Sequence, residues 1–221
     1  MNVVILLYEG VTALDAVGPY EVLSLVPGAT VQFAAAEAGP VRTDSGFLTL
    51  HADYPLADVS QPDVIVVPGS ATHTRRAMGD VRILDWLRGA HEKSKWTTSV
   101  CSGALILGAA GLLRGKKAST HWVAREYLPA LGAEPVAERV VEQGKIITAA
   151  GVSAGIDMAL HLAARLAGEE QARVIQLITE YDPQPPFDSG SKEKATPEIV
   201  EKAARQLMNM RTSAAGRRAS G

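Results

Sequence analysis

Residues 96–113 read WTTSVCSGALILGAAGLL. The first part, Trp96 to Val100, is apolar and rich in β-branched residues. The second, Ser102 to Leu113, is a run of small and aliphatic residues with helical spacing. The pattern predicts a strand buried on both faces that turns directly into a helix. Two earlier runs repeat it. Val3 to Tyr8 precedes a helical segment over Ala13–Leu25, and Asp63 to Pro68 precedes one over Arg75–His91. Such alternation predicts βαβ units: an α/β fold with a mainly parallel sheet and helices on both faces.

Shorter elements fill the gaps. Val31 to Ala35 reads as a strand, and Val41–Arg42 is expected to pair with Leu48–His51 around Asp44-Ser45-Gly46. Arg139–Val141 and Lys145–Thr148 flank Gln143-Gly144 and read as a hairpin. Ile156–Leu166 and Ala172–Tyr181 look helical, and the prolines from Asp182 to Pro186 end that pattern. Pro197 to Met210 carries one more helical pattern. No internal linker interrupts the body, so residues 1–210 are expected to form one domain. The small, polar, basic end, residues 211–221, is expected to be a disordered tail.

Composition narrows the function. The chain has 221 residues, 47% of them hydrophobic, enough for one large core. Lys and Arg number 22 against 24 Asp and Glu, a net charge of −2. That balance argues against nucleic acid or an anionic membrane as partner. One cysteine cannot form an internal disulfide. The apolar N-terminus lacks a basic region and a cleavage site, and no apolar stretch is long enough to span a bilayer. The expectation is a soluble, cytoplasmic protein.

The lone cysteine, Cys101, stands at the strand-to-helix junction. In open α/β sheets ligands bind beyond the carboxyl ends of the strands. A helix start there favours thiolate and is expected to lower the thiol pKa. Ser102 and Gly103 are small enough for a sharp nucleophile elbow. The alternative is a small buried hydrophobe. Asp15, in TALDAVGPYEVL, has apolar neighbours that would raise its pKa and keep it protonated; it also fits a capping or turn aspartate. Gly69 and Ser70 end the second strand and offer either an anion-binding nest of N–H groups or a plain turn. His121, in STHW, fits either a base for Cys101 or a packed, capping residue. No His or Cys spacing suits a metal, and no Gly-rich nucleotide motif occurs.

Together LDAVGPYEVL, DVIVVPGS, SVCSGALILGAAGLLRGKKASTHW and ITAAGVSAGIDMALHLAARLAG resemble the DJ-1/PfpI superfamily, up to about Phe187. Within it the chain is similar to the isocyanide hydratase branch. The acid near the first strand is Asp15 rather than glutamate. A hydroxyl residue, Ser102, follows the cysteine where PfpI-type proteases have histidine. EYDPQPPFDSGS, residues 180–191, is also similar to that branch. The resemblance implies a flavodoxin-like sandwich, a homodimer, Cys101 as nucleophile, Asp15 as acid/base and Ser102 as the adjacent hydroxyl. The family's second glycine is Ser70 here, and any left-handed backbone at that position would strain serine. Similar motifs occur in sensor domains of AraC-type regulators, which continue into two helix-turn-helix units; with a single helical pattern and a small basic tail before Gly221, a regulator is the weaker expectation.

The expected activity is hydration of an isocyanide, R–N≡C, to an N-substituted formamide, with water as co-substrate and no metal or organic cofactor. Cys101 would add to the terminal carbon and Asp15 would supply the proton, giving a thioimidate that water then hydrolyses. Ser102 would hold Asp15 or the water. The rivals are another cysteine activity of the superfamily, glyoxalase-like or amide-hydrolysing, and a non-enzymatic redox or ligand sensor.

Overall fold

The computed structural model describes residues 1–216. In chain order the elements are β1 (Asn2–Leu6), α1 (Ala13–Leu23), β2 (Thr30–Ala35), β3 (Gly39–Arg42), β4 (Thr49–Ala52) and β5 (Tyr54–Pro55). Next come β6 (Val64–Val67), α2 (Thr74–Ala77), α3 (Val81–Lys93), β7 (Trp96–Ser99), α4 (Gly103–Ala109) and β8 (Lys117–Ala118). Then follow β9 (Glu134–Pro135), β10 (Val140–Gln143), β11 (Ile146–Ala149), α5 (Ala154–Ala167), α6 (Glu169–Ile178) and α7 (Pro197–Gly216). Short 3-10 turns lie at Leu56–Asp58, Trp122–Tyr127 and Pro129–Leu131.

The main sheet has seven strands in the order β10-β11-β7-β6-β1-β2-β5. Every pairing is parallel except β10 with β11. The strands predicted from continuous apolar runs are the central ones. β6 is buried along its whole length, and β1 from Val3 onward. Burial on both faces is why these segments do not alternate polar with apolar. β7 is buried too, although it carries Thr97, Thr98 and Ser99. Thr98 donates to the Ile65 carbonyl at 3.0 Å, and Thr97 pairs with His91 Nδ1 at 2.8 Å. Helices α1, α5 and α6 pack together on one face and α2, α3 and α4 on the other. This is the expected flavodoxin-like sandwich.

Some expectations change. The helix read over Arg75–His91 is two helices, broken at Met78-Gly79-Asp80. Asp80 caps the second by accepting from the Arg82 N–H at 3.0 Å. The helix after Cys101 stops at Ala109, well short of Leu113. The hairpins around Asp44–Gly46 and Gln143-Gly144 form as read. The last helix continues past Met210 to Gly216, and the rest of the expected tail, residues 217–221, lies outside the described residues. Among the described residues no helix is long and apolar enough to cross a membrane.

Candidate active site

Four neighbouring strands, β11, β7, β6 and β1, run parallel, so their carboxyl ends deliver four loops to one place. β7 delivers Cys101 and Ser102. β6 delivers Gly69 and Ser70. The first turn of α1, the helix that follows β1, delivers Asp15, and the turn after β11 delivers Val152. The predicted cysteine, acid, hydroxyl and glycine pair therefore meet, although they lie up to 87 positions apart in the chain.

Cys101 adopts φ +57°, a left-handed conformation that is rare away from glycine. The elbow is fixed from several sides. The Cys101 N–H donates to the Ala150 carbonyl at 2.8 Å, and Thr120 Oγ1 donates to the Cys101 carbonyl at 2.8 Å. Gly103 allows α4 to start hard against β6: a Cβ there would lie 2.0 Å from the Val67 carbonyl oxygen. Gly69 is equally confined, because a Cβ would stand 2.6 Å from both Ser102 N and Ser102 Oγ.

Asp15 has no exposed surface. Its Oδ2 accepts the Gly69 N–H at 2.9 Å, and its carboxyl interacts with the Cys101 thiol. Its Oδ1 is buried without a hydrogen-bond partner. Burial pushes its pKa up to about 7, against the smaller opposing effect of the Gly69 N–H and the thiol. Asp44 adds negative charge nearby; it is held by Thr12 Oγ1 at 2.5 Å and the Ala71 N–H at 3.3 Å.

The thiol departs from expectation. Its pKa is raised, first by burial and then by the charge of Asp15. The N–H groups of Val152 and Ser102 and the Ser102 hydroxyl act in the opposite sense and are outweighed. α4 has only seven residues, and Cys101 is 5% exposed, so the cost of desolvating a thiolate exceeds what the helix start offers.

Gly69 and Ser70 do not present an open nest. The Gly69 amide is engaged by Asp15, and the Ser70 amide donates to Ser102 Oγ at 3.0 Å and Thr74 Oγ1 at 3.2 Å. Ser70 avoids positive φ, so the feared strain is absent. Its hydroxyl donates to the Gly10 carbonyl at 2.5 Å and accepts the Thr72 and His73 N–H groups. Ser102 Oγ pairs with Thr74 Oγ1 at 2.6 Å and donates to the Ser70 carbonyl at 3.1 Å. It thus ties the β6 loop to the elbow and does not hold Asp15. His121 caps its own turn, Nδ1 accepting the Val123 N–H at 3.4 Å, and its ring lies over Gly151.

Tyr8, Thr74, Thr120 and Val152 were not singled out in the sequence. Tyr8 is buried, donates to the Pro68 carbonyl at 3.0 Å and feels the charges of Asp15 and Cys101. Its place at the end of β1 was the available signal. Beyond Ser102 a cleft of about 560 Å³ opens. Its polar lining includes Ser70, Thr74, Arg75 and Ser102, and its apolar lining includes Met78, Leu105, Ala124 and Leu131. That volume suits a small organic ligand.

Known proteins share this arrangement of elements. The chain is 44% identical to an isonitrile hydratase from Pseudomonas putida over 91% of its own length and 87% of the relative's. A crystal structure of a ThiJ/PfpI family protein from Pseudomonas syringae superposes with a TM-score of 0.88 at 36% identity, covering 96% of this chain and 89% of that one. Drosophila melanogaster DJ-1beta has the same fold at 22% identity, with a TM-score of 0.75 over 81% of this chain and 97% of its own. The model of the DJ-1/PfpI family matches residues 1–165, which span every strand of the sheet and the elbow, and the chain belongs to that family.

Proposed function

We propose that the protein hydrates organic isocyanides to N-substituted formamides through Cys101 and Asp15. The observation that carries the reading is the buried pair itself. A carboxyl with pKa about 7 touches a thiol that holds its proton. An isocyanide needs both a nucleophile and a proton at one carbon, and such a pair delivers both. The likeness to the Pseudomonas putida isonitrile hydratase, across most of both chains, supports the same reaction.

The steps balance as follows. The Cys101 sulfur bonds to the terminal carbon of R–N≡C as its proton passes to the Asp15 carboxylate. Asp15 returns that proton to the same carbon, giving the thioimidate R–N=CH–S–Cys101. Water then attacks this carbon. Asp15 takes a proton from the water and passes it to the nitrogen, giving R–NH–CH(OH)–S–Cys101. The C–S bond breaks, the oxygen loses its proton, and the sulfur regains one. The products are R–NH–CHO and the starting thiol. A group with pKa near the working pH suits both halves, in each of them accepting a proton as base and returning it as acid. The covalent intermediate divides one addition into two easier steps. The substituent R has room in the cleft beyond Ser102.

The purified protein with cyclohexyl isocyanide in H₂¹⁸O is expected to release N-cyclohexylformamide carrying one ¹⁸O, read by mass spectrometry. Intact-protein mass spectra during turnover should show substrate bound to Cys101. Cys101→Ala should form neither adduct nor product. Absence of formamide across alkyl and aryl isocyanides would reject the reading; product formation by Cys101→Ala would reject the covalent route.

A further inference from the structure

We propose that Arg139 is a positioning residue for the reactive sulfur, acting through the strained turn at residues 150–153. The proposal rests on Cys101 being the reactive thiol and not on the isocyanide. Val152 has φ +30°, a region that β-branched residues scarcely enter. Such strain persists only when the surroundings fix it. The strained residue is also the one whose N–H points to the Cys101 sulfur. Something must therefore hold the turn in place.

Arg139, the residue before β10, holds it on both sides. Its carbonyl accepts the Ala150 N–H at 2.9 Å, and the Ala150 carbonyl accepts the Cys101 N–H at 2.8 Å. Its guanidinium reaches past the turn. Nη2 donates to Ser153 Oγ at 3.3 Å, and Nε donates to Asp157 Oδ2 in the first turn of α5. Tyr181, from the segment that resembles the hydratase branch, also bonds with Asp157 and Arg139. One residue thus grips the backbone before Val152 and the side chains after it. A planar fork can serve two acceptors at once, which a lysine ammonium cannot do in the same geometry. As a plain ion pair, half exposed at Arg139, it would add little to stability. Asp15 is the charge that acts most on the sulfur, and Tyr8 interacts with it. The hydrogen bonds of Arg139 go to the turn and to α5, so its effect is carried by the turn.

Cys101 is the only cysteine, so alkylation reports on it alone. The test follows iodoacetamide alkylation against pH, together with native-state hydrogen exchange at Val152, in wild type, Arg139→Ala, Arg139→Lys and Asp157→Asn. Arg139→Ala is expected to raise the apparent thiol pKa by about 0.5–1, the scale of one weakened hydrogen bond. The Val152 amide should exchange at least about tenfold faster, while β6 and β7 amides keep their protection. Arg139→Lys should retain the defect, and Asp157→Asn should reproduce part of it. A wild-type thiol titration and unchanged Val152 exchange in folded Arg139→Ala would overturn the proposal. If that variant does not fold, the same result in Arg139→Lys overturns it. A shifted titration in a protein that proves inactive on isocyanides would reject the substrate and support the clamp.

Discussion

A carboxyl and a thiol buried together compete for protons, and the competition sets what each can do. Asp15 cannot shed its proton until about pH 7 because water is excluded from it. Cys101 holds its own firmly, first because it is buried and then because Asp15 stands beside it. The nucleophile is therefore a thiol that gives up its proton during attack, with the acceptor already in place. Asp15→Asn keeps the shape and the acceptor for the Gly69 N–H but cannot carry a proton. It is expected to fold and to lose isocyanide turnover by about 10²–10⁴-fold, measured as kcat. Gly103→Ala tests the elbow: its Cβ would meet the Val67 carbonyl at 2.0 Å, and neither backbone can yield cheaply. A loss of about 3 kcal/mol or more is expected in urea unfolding, through backbone displacement at a packed junction. Cys101 and Asp15 were legible because unusual letters stood at strand ends. Val152 was not, because its contribution is a backbone N–H that any residue could supply. What the Gly69 and Ser70 amides bond to was not legible, since a sequence shows donors but not their partners.

At the scale of elements, burial on both faces made β1, β6 and β7 readable, the Gln143-Gly144 turn made β11 readable, and each ends at the site. The two-residue strands β5, β8 and β9 and the 3-10 turns went unseen, being too short to show a period. The break between α2 and α3 did have a signal, Gly79 followed by a capping Asp80, but the apolar spacing continued across it. These overlooked pieces shape the cleft: the turn Trp122–Tyr127 supplies Ala124, and Pro129–Leu131 supplies Leu131. If R occupies that space, filling it should discriminate by size. Ala124→Phe is expected to raise KM for cyclohexyl isocyanide about tenfold or more and to leave methyl isocyanide nearly unchanged, the range expected for a pocket that loses a few carbons of room. Equal effects on both substrates would move R elsewhere.

At the scale of the whole molecule, the resemblance leads us to expect a dimer, and light scattering at working concentration should give twice the chain mass; a monomer mass would remove that expectation. The buried acid makes a sharper global claim. In the unfolded chain Asp15 titrates at 3.8, and in the fold at about 7. Between those values the unfolded state binds fewer protons, so stability falls as pH rises. The contribution is complete below 3.8 and gone above about 7. At about 1.4 kcal/mol for each pH unit, the span amounts to about 4 kcal/mol. Surface carboxylates with lowered pKa, Asp63, Asp80, Glu142 and Glu193, act the other way, but they are the same in wild type and in Asp15→Asn and cancel in the difference. Urea unfolding of both proteins from pH 4 to pH 8 should therefore show wild type losing about 4 kcal/mol relative to the variant, with the change centred between pH 4 and pH 7. A difference that stays flat across that range would mean that burial does not raise the Asp15 pKa, and a carboxyl of ordinary acidity would be a poor acceptor for the thiol proton it is proposed to take and return.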